Sequence, residues 1–298
     1  MVFTQSAIVI TGGAVRITGS GLGCSTWPEC TPGSYTPTSN QPELPLHAWI
    51  EFGNRLLTFI LLINALVLFF LILKGKHRDL RLLGAVQIIG IFAQGLLGGI
   101  TVLTGLSPLS VASHFLLSMI LIAAALSLRQ RIHRKTPTAI SLSKTSRIIA
   151  RILLALIILV LVLGTIVTGS GPHAGDTSAE RFNLDSRTMA WLHADAVIAL
   201  LGVTIALLIA VKLGEGAQVR ALWQKKVQYF FIISIAQGLI GYIQYFTGLP
   251  EIIVGAHLVG AVLVWIAAWN LIITGNVLKS SELAQISKPD NTNPDNIN

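Results

Sequence analysis

Ala93-Gln94-Gly95-Leu96-Leu97-Gly98, followed by Thr104-Gly105-Leu106 and His114, returns as Ala236-Gln237-Gly238-Leu239-Ile240-Gly241, Thr247-Gly248-Leu249 and His257. All three matches hold at one offset of 143 residues, without a gap. Glycines alone align by chance in apolar helices, but a glutamine, a threonine and a histidine carried with them mark an internal repeat. A second echo supports it, since Thr-Gly-Ser-Gly stands at 18–21 and again at 168–171. The chain is therefore read as two related halves. Gly95, Gly98 and Gly99 are small residues of the kind that lets membrane helices approach closely.

Of the 298 residues, 53% are hydrophobic and 11% charged, and the mean hydropathy is +0.72. A soluble chain carries about a quarter charged residues. This one cannot cover a water-facing surface, so most of its solvent must be lipid. Between clustered charges lie continuous apolar runs, each near the roughly 20 residues that a helix needs to cross a bilayer. Eight spans result, at 2–17, 47–73, 82–104, 110–128, 148–169, 188–211, 227–247 and 251–274. Continuous rather than alternating runs predict helices and not barrel strands.

The expected fold is an all-α integral membrane protein, with eight transmembrane helices arranged as two pseudo-symmetric four-helix bundles. The N-terminal half covers 1–128, a basic linker 129–147, the C-terminal half 148–275 and a polar, disordered tail 276–298. Each unit has an even number of spans, so both face the same way about an axis along the membrane normal. The first span is short. Its Arg16 end and the lack of a basic start argue against a cleaved signal peptide. That leaves a tilted helix, or one whose first turns are missing.

Lysine and arginine set the orientation. The connections after spans 2, 4 and 6 carry Lys74, Lys76, Arg78 and Arg81; Arg129, Arg131, Arg134, Lys135, Lys144, Arg147 and Arg151; and Lys212, Arg220, Lys225 and Lys226. The opposite connections carry only Arg181 and Arg187. A multi-pass plasma-membrane protein with both termini cytoplasmic and the first loop external is expected. The net charge of +8 is then a topology signal, and nucleic acid is not an expected partner.

Ionisable residues inside spans are costly and ask for a reason. His47, Glu51, Arg55, His114, His193, Asp195 and His257 are the candidates. His114, His193 and His257 each lie about four to six residues inside a span entered from the external side, less than roughly 10 Å deep. Any one alone reads as a histidine bonded to a neighbouring helix. Three in one layer of a bundle, two of them repeat-related, point to heme iron, which imidazoles on facing helices can clamp. Glu51 and Arg55, spaced i, i+4, form either a structural ion pair or a functional one. In the functional case Glu51 exchanges a proton beside a reactive center, or Arg55 meets a heme propionate. Asp195, two residues after His193, points elsewhere on its helix.

Cys24 and Cys30 are the only cysteines, spaced Cys-x5-Cys in the first external loop. The spacing is not that of c-type heme attachment, and two thiols leave a zinc site incomplete. A disulfide is the default in an oxidising compartment, either structural or redox-active.

With Gly19-Ser20-Gly21-Leu22-Gly23-Cys24, Trp27-Pro28 and Cys30, then Ile50-Glu51-Phe52-Gly53, then Thr168-Gly169-Ser170-Gly171-Pro172-His173-Ala174-Gly175, the chain resembles heme A synthase over about 10–270. The resemblance implies oxidation of the C8 methyl of heme O to a formyl group by successive hydroxylations. It implies heme b in the C-terminal half on His193 and His257, with the substrate heme O in the N-terminal half on His114. It also makes Glu51 the essential acid and Cys24–Cys30 a disulfide pair. Heme O synthase and cytochrome oxidase assembly factors are the implied partners, beside membrane lipid.

One departure matters. The family often reads Glu-Phe-Gly-His-Arg, whereas this stretch is Glu51-Phe52-Gly53-Asn54-Arg55. An amide is a poor ligand for heme iron, and His47 lies two turns away, about 10 Å along the axis. The expectation is a five-coordinate heme iron on His114 with Asn54 beside the open position; Glu51, Asn54 and Arg55 are then the candidate catalytic residues. An electron-transfer b-type membrane cytochrome would explain the histidine layer but gives Glu51 no task. A transporter of parallel repeats would place its ionisable residues nearer the midplane.

Overall fold

The computed structural model describes residues 1–39, 41–75, 78–133 and 142–286, with side chains up to residue 274. Its eight helices are α1 (Val2–Ile17), α2 (Pro45–Lys74), α3 (Arg81–Leu103), α4 (Pro108–Ile132), α5 (Lys144–Ser170), α6 (Ser186–Gly214), α7 (Ala217–Phe246) and α8 (Glu251–Ile286). Helices α2 to α8 are each long and apolar enough to cross a membrane; α1, at 16 residues, is shorter. The protein is all-α and membrane-embedded. Arg134 and Lys135 of the basic linker, Lys76, and the tail from 287 onward lie outside the described residues.

Local chemistry sets the helix starts. Pro45 and Pro108 open α2 and α4, where the missing N–H costs nothing. Asp185 caps α6 by accepting from the Thr188 N–H at 2.8 Å and from its hydroxyl at 2.5 Å. Those bonds hold the Asp185 carboxyl below the usual carboxylate range.

The helices turn ordinary burial inside out. Phe59, Ile63, Val67 and Phe70 of α2 are exposed, as are Ile232, Leu239 and Ile243 of α7, forming faces suited to lipid. Glutamine, serine and threonine go inward instead, where each needs a partner. Gln5 donates to Gln87 Oε1 at 3.0 Å, and Gln87 donates to the Leu121 carbonyl at 3.1 Å, tying α1, α3 and α4 together.

Each set of four helices closes on itself, α1 against α4 and α5 against α8, and the sets meet where α4 packs on α5 and α8 and where α1 packs on α8. Met119, Ile122 and Leu126 of α4 and Val262 and Trp265 of α8 belong to the core along this seam. Trp265 Nε1 donates to the Met119 carbonyl at 2.7 Å, and Trp269 Nε1 to Ser127 Oγ at 2.9 Å.

The 143-residue repeat survives as hydrogen bonds. Gln94 donates to the His114 carbonyl at 3.1 Å, and Gln237 to the His257 carbonyl at 2.7 Å. The α3–α4 turn carries positive φ at Gly105 (60°) and Leu106 (61°); the α7–α8 turn does the same at Gly248 (80°) and Leu249 (63°). A leucine with φ > 0 is uncommon, so its occurrence at both places marks one inherited turn.

Trp265→Phe leaves the seam packed but removes the donor to Met119. About 1 kcal/mol of stability should be lost, seen as a lower unfolding midpoint of the detergent-solubilised protein.

Candidate functional site

His114, His193 and His257 stand at positions seven, eight and seven of α4, α6 and α8, so the antiparallel packing brings all three to one end of the bundle. Each ring is seated on a glycine of the neighbouring helix. A Cβ added to Gly98, Gly164 or Gly241 would lie 3.3, 3.3 or 3.1 Å from Cε1 of His114, His193 or His257. Nδ1 of His114 and of His257 is buried and has no hydrogen-bond partner, while His193 interacts with the Val160 backbone. The rings are thus set edge-on into a cradle that any side chain would crowd.

The two halves differ in what faces these rings. His193 and His257 are within electrostatic reach of one another across the C-terminal half. In the N-terminal half Asn54, on α2, turns to α1, and its Oδ1 accepts from Thr11 Oγ1 at 2.7 Å. Among the described residues no three His, Cys, Asp or Glu side chains converge as a site for a bare metal ion. The histidine layer is not a cluster of that kind.

Glu51 and Arg55 pair at 2.6 Å. The pair is also the fastening of the first loop. Glu51 Oε2 accepts the Cys24 N–H at 2.6 Å. Arg55 donates to the carbonyls of Cys24 (2.9 Å), Thr26 (3.1 Å) and Glu29 (3.2 Å) while also holding Glu51 Oε1. Cys24 and Cys30 are joined in a disulfide, and both are fully buried. The Trp27 ring lies against Gly99 of α3, so the loop closes over the end of the N-terminal bundle.

Asp195 is exposed on α6 and lines a shallow surface depression with Arg187, Thr188 and Trp191, apart from His193. His47 meets the loop through its backbone, which abuts Gly23. Three contributors were not singled out from sequence. Thr11 holds Asn54, Gly164 seats His193, and His173 binds the Leu249 carbonyl through Nε2 at 2.9 Å, linking the α5–α6 loop to the α7–α8 turn. His173 sat within a quoted motif and Gly164 within an apolar run, but their contacts are visible only in the packed chain.

The sequence profile of the family COX15-CtaA, cytochrome oxidase assembly protein, matches residues 1–178. The chain belongs to this family. Relatives agree with that placement. A heme A synthase of Lysinibacillus sphaericus is 39% identical over 125 residues, covering 41% of this chain and 39% of that protein. One of Geobacillus kaustophilus is 35% identical over 141 residues, 46% of this chain and 43% of the relative. One of Shewanella oneidensis is 31% identical over 183 residues, 57% and 53% of the two chains. The matched stretches thus span about two fifths to half the length of these relatives.

Arg55→Gln removes the donors that hold three loop carbonyls. Reduction of the Cys24–Cys30 disulfide by dithiothreitol, followed by thiol alkylation, should speed up roughly tenfold, since charge-assisted hydrogen bonds of this kind are worth about 1.5–3 kcal/mol. An unchanged rate would mean that the loop is held by other contacts.

Proposed function

We propose that this chain is a heme A synthase of the plasma membrane, oxidising the C8 methyl of heme O to a formyl group. The observation that carries the reading is broken symmetry between two halves of one design. One half has two histidines within electrostatic reach of each other; the other has His114, with Asn54 on α2 and a partly buried ion pair under a disulfide loop.

The donor set fits heme. Glycine seats that leave room for an imidazole edge suit rings that present a nitrogen to a flat group between helices. His193 and His257 would hold heme b as the resident cofactor, and His114 would hold the substrate heme O. Bound heme supplies the one-electron and oxygen chemistry; this chain supplies position, exclusion of water and proton handling.

The residues of the N-terminal half divide that work. Thr11 fixes the Asn54 amide, which keeps α1 and α2 in register beside the substrate position. The loop with Trp27 against Gly99 shields this end from water. Glu51 is the proton-exchanging group. Because Oε2 also accepts the Cys24 N–H, taking up a proton there weakens the fastening of the loop, so proton movement and loop position are linked. Arg55 has its donors committed to Glu51 and loop carbonyls, and its role is to position that acid and the loop. The basic ends of the spans support a reading with the termini in the cytoplasm and the disulfide loop outside. The enzyme that makes heme O is then the partner from which substrate arrives, with cytochrome oxidase assembly factors downstream.

Heme extraction and chromatography of protein expressed together with a source of heme O test the reading. Wild-type protein should contain heme b and form heme A. Glu51→Gln should retain heme b and lose at least about 99% of heme A formation, as expected when a proton-transfer group contributing 10²–10⁴-fold is removed. Heme b with no heme A in the wild type would make the chain an electron-transfer cytochrome. Asn54→His, in turn, should convert a high-spin component of the heme O-loaded spectrum to low-spin.

A further inference from the structure

Arg16, in the last turn of α1, is a cation paired with no carboxylate among the described residues. Its side chain crosses from the N-terminal half to the C-terminal half, where Nη2 donates to the Thr168 carbonyl at the end of α5, 2.7 Å away. Nε is buried and has no partner. Among the described residues Arg16 takes part in no ion pair, and the Glu51–Arg55 pair is committed elsewhere. Asp176, in the adjoining loop, is bonded to Ser178. The charge of a second cation, Arg181, bears on Arg16, and Arg181 itself donates to the Pro172 carbonyl.

Guanidinium does not give up its proton, so it cannot escape the cost of burial by becoming neutral. A half-buried arginine with an unpartnered Nε and no ion pair is a site for a negative group. Its position says which group. Ile17 packs at Gly255 of α8, and a side chain on Gly13 would run into Leu258. The end of α1 therefore lies along α8 at the level of His257. At the position 150 residues on, set by the Thr-Gly-Ser-Gly echo, the C-terminal half has Ile166. The cation exists once, at the seam, beside the half that holds the histidine pair.

We propose that Arg16 binds a carboxylate of the tetrapyrrole held by His193 and His257, so that a helix of one half completes the cofactor site of the other. This rests on the heme reading above. A propionate suits the place: it is a planar acceptor for a guanidinium fork, carried at the polar edge of an otherwise apolar ligand.

The test is uptake of iron protoporphyrin IX and of its dimethyl ester by the full-length protein, purified from heme-limited cells in detergent. Wild type should bind the free acid roughly tenfold more tightly than the ester, the scale of one charge-assisted hydrogen bond. Arg16→Gln should lose that preference, binding both forms as the wild type binds the ester, while Arg16→Lys keeps most of it. In wild type and Arg16→Lys, which retain the charge, the heme midpoint potential should also stand above that of Arg16→Gln. Equal affinity of wild type for acid and ester overturns the proposal, even if Arg16→Gln does not fold. Full preference retained in Arg16→Gln overturns it too, and assigns the cation to a lipid phosphate or a free anion. Uptake of neither compound by wild type overturns the heme reading itself, and this proposal with it.

Discussion

A polar atom inside a lipid-solvated bundle has to find its partner within the protein, because no water is there to serve it. That constraint explains most of the cross-links between helices. Gln5 and Gln87 serve each other and the Leu121 carbonyl; Gln94 and Gln237 serve the backbone at His114 and His257; the indoles of Trp265 and Trp269 serve α4. It also gives meaning to the exceptions. The atoms left without a partner include Nδ1 of His114 and of His257 and Nε of Arg16, all toward the disulfide-loop end of the bundle.

The same constraint shapes the first loop. A loop folded against a membrane bundle carries backbone carbonyls into a poorly hydrated place, and Arg55 satisfies three of them at once. Glu51 offsets the charge that this requires and caps the Cys24 N–H. One ion pair thus fixes a loop, a disulfide and the end of α2 together. The corresponding loop of the other half is held differently. The Phe182 N–H bonds the Gly169 carbonyl, His173 bonds Leu249, and the Gly175 carbonyl receives the Gly21 N–H at 2.8 Å, which joins the two loops.

Much of this could be read from the chain alone, and the reasons are physical. Apolar run length reports bilayer thickness, so the number and place of the spans were legible. Their ends were not, because caps such as Asp185 and openers such as Pro108 extend helices beyond the apolar run. The repeat was legible because Gln94 and Gln237 perform one task at one place, which kept the residue type and spacing together. The i, i+4 pairing of Glu51 with Arg55 was legible as local geometry. The loop carbonyls it serves were not, since nothing in residues 24–29 announces where their backbone will lie. Asn54 stood out as a departure, but its bond to Thr11 depends on how α1 packs, as does the reach of Arg16 to Thr168.

The two indole bonds at the seam have a consequence for how the halves recognise each other. Shifted by the repeat offset, Trp265 and Trp269 fall on Ile122 and Leu126, and their partners Met119 and Ser127 fall on Val262 and Asn270. A seam between identical halves would present every contact twice. Here the indole donors stand on one side only, and the positions equivalent to them, Ile122 and Leu126, are apolar. Two copies of the N-terminal half brought together would have no indole to offer to these acceptors. The N-terminal half therefore gains these two bonds only from the unlike half to which the covalent chain joins it.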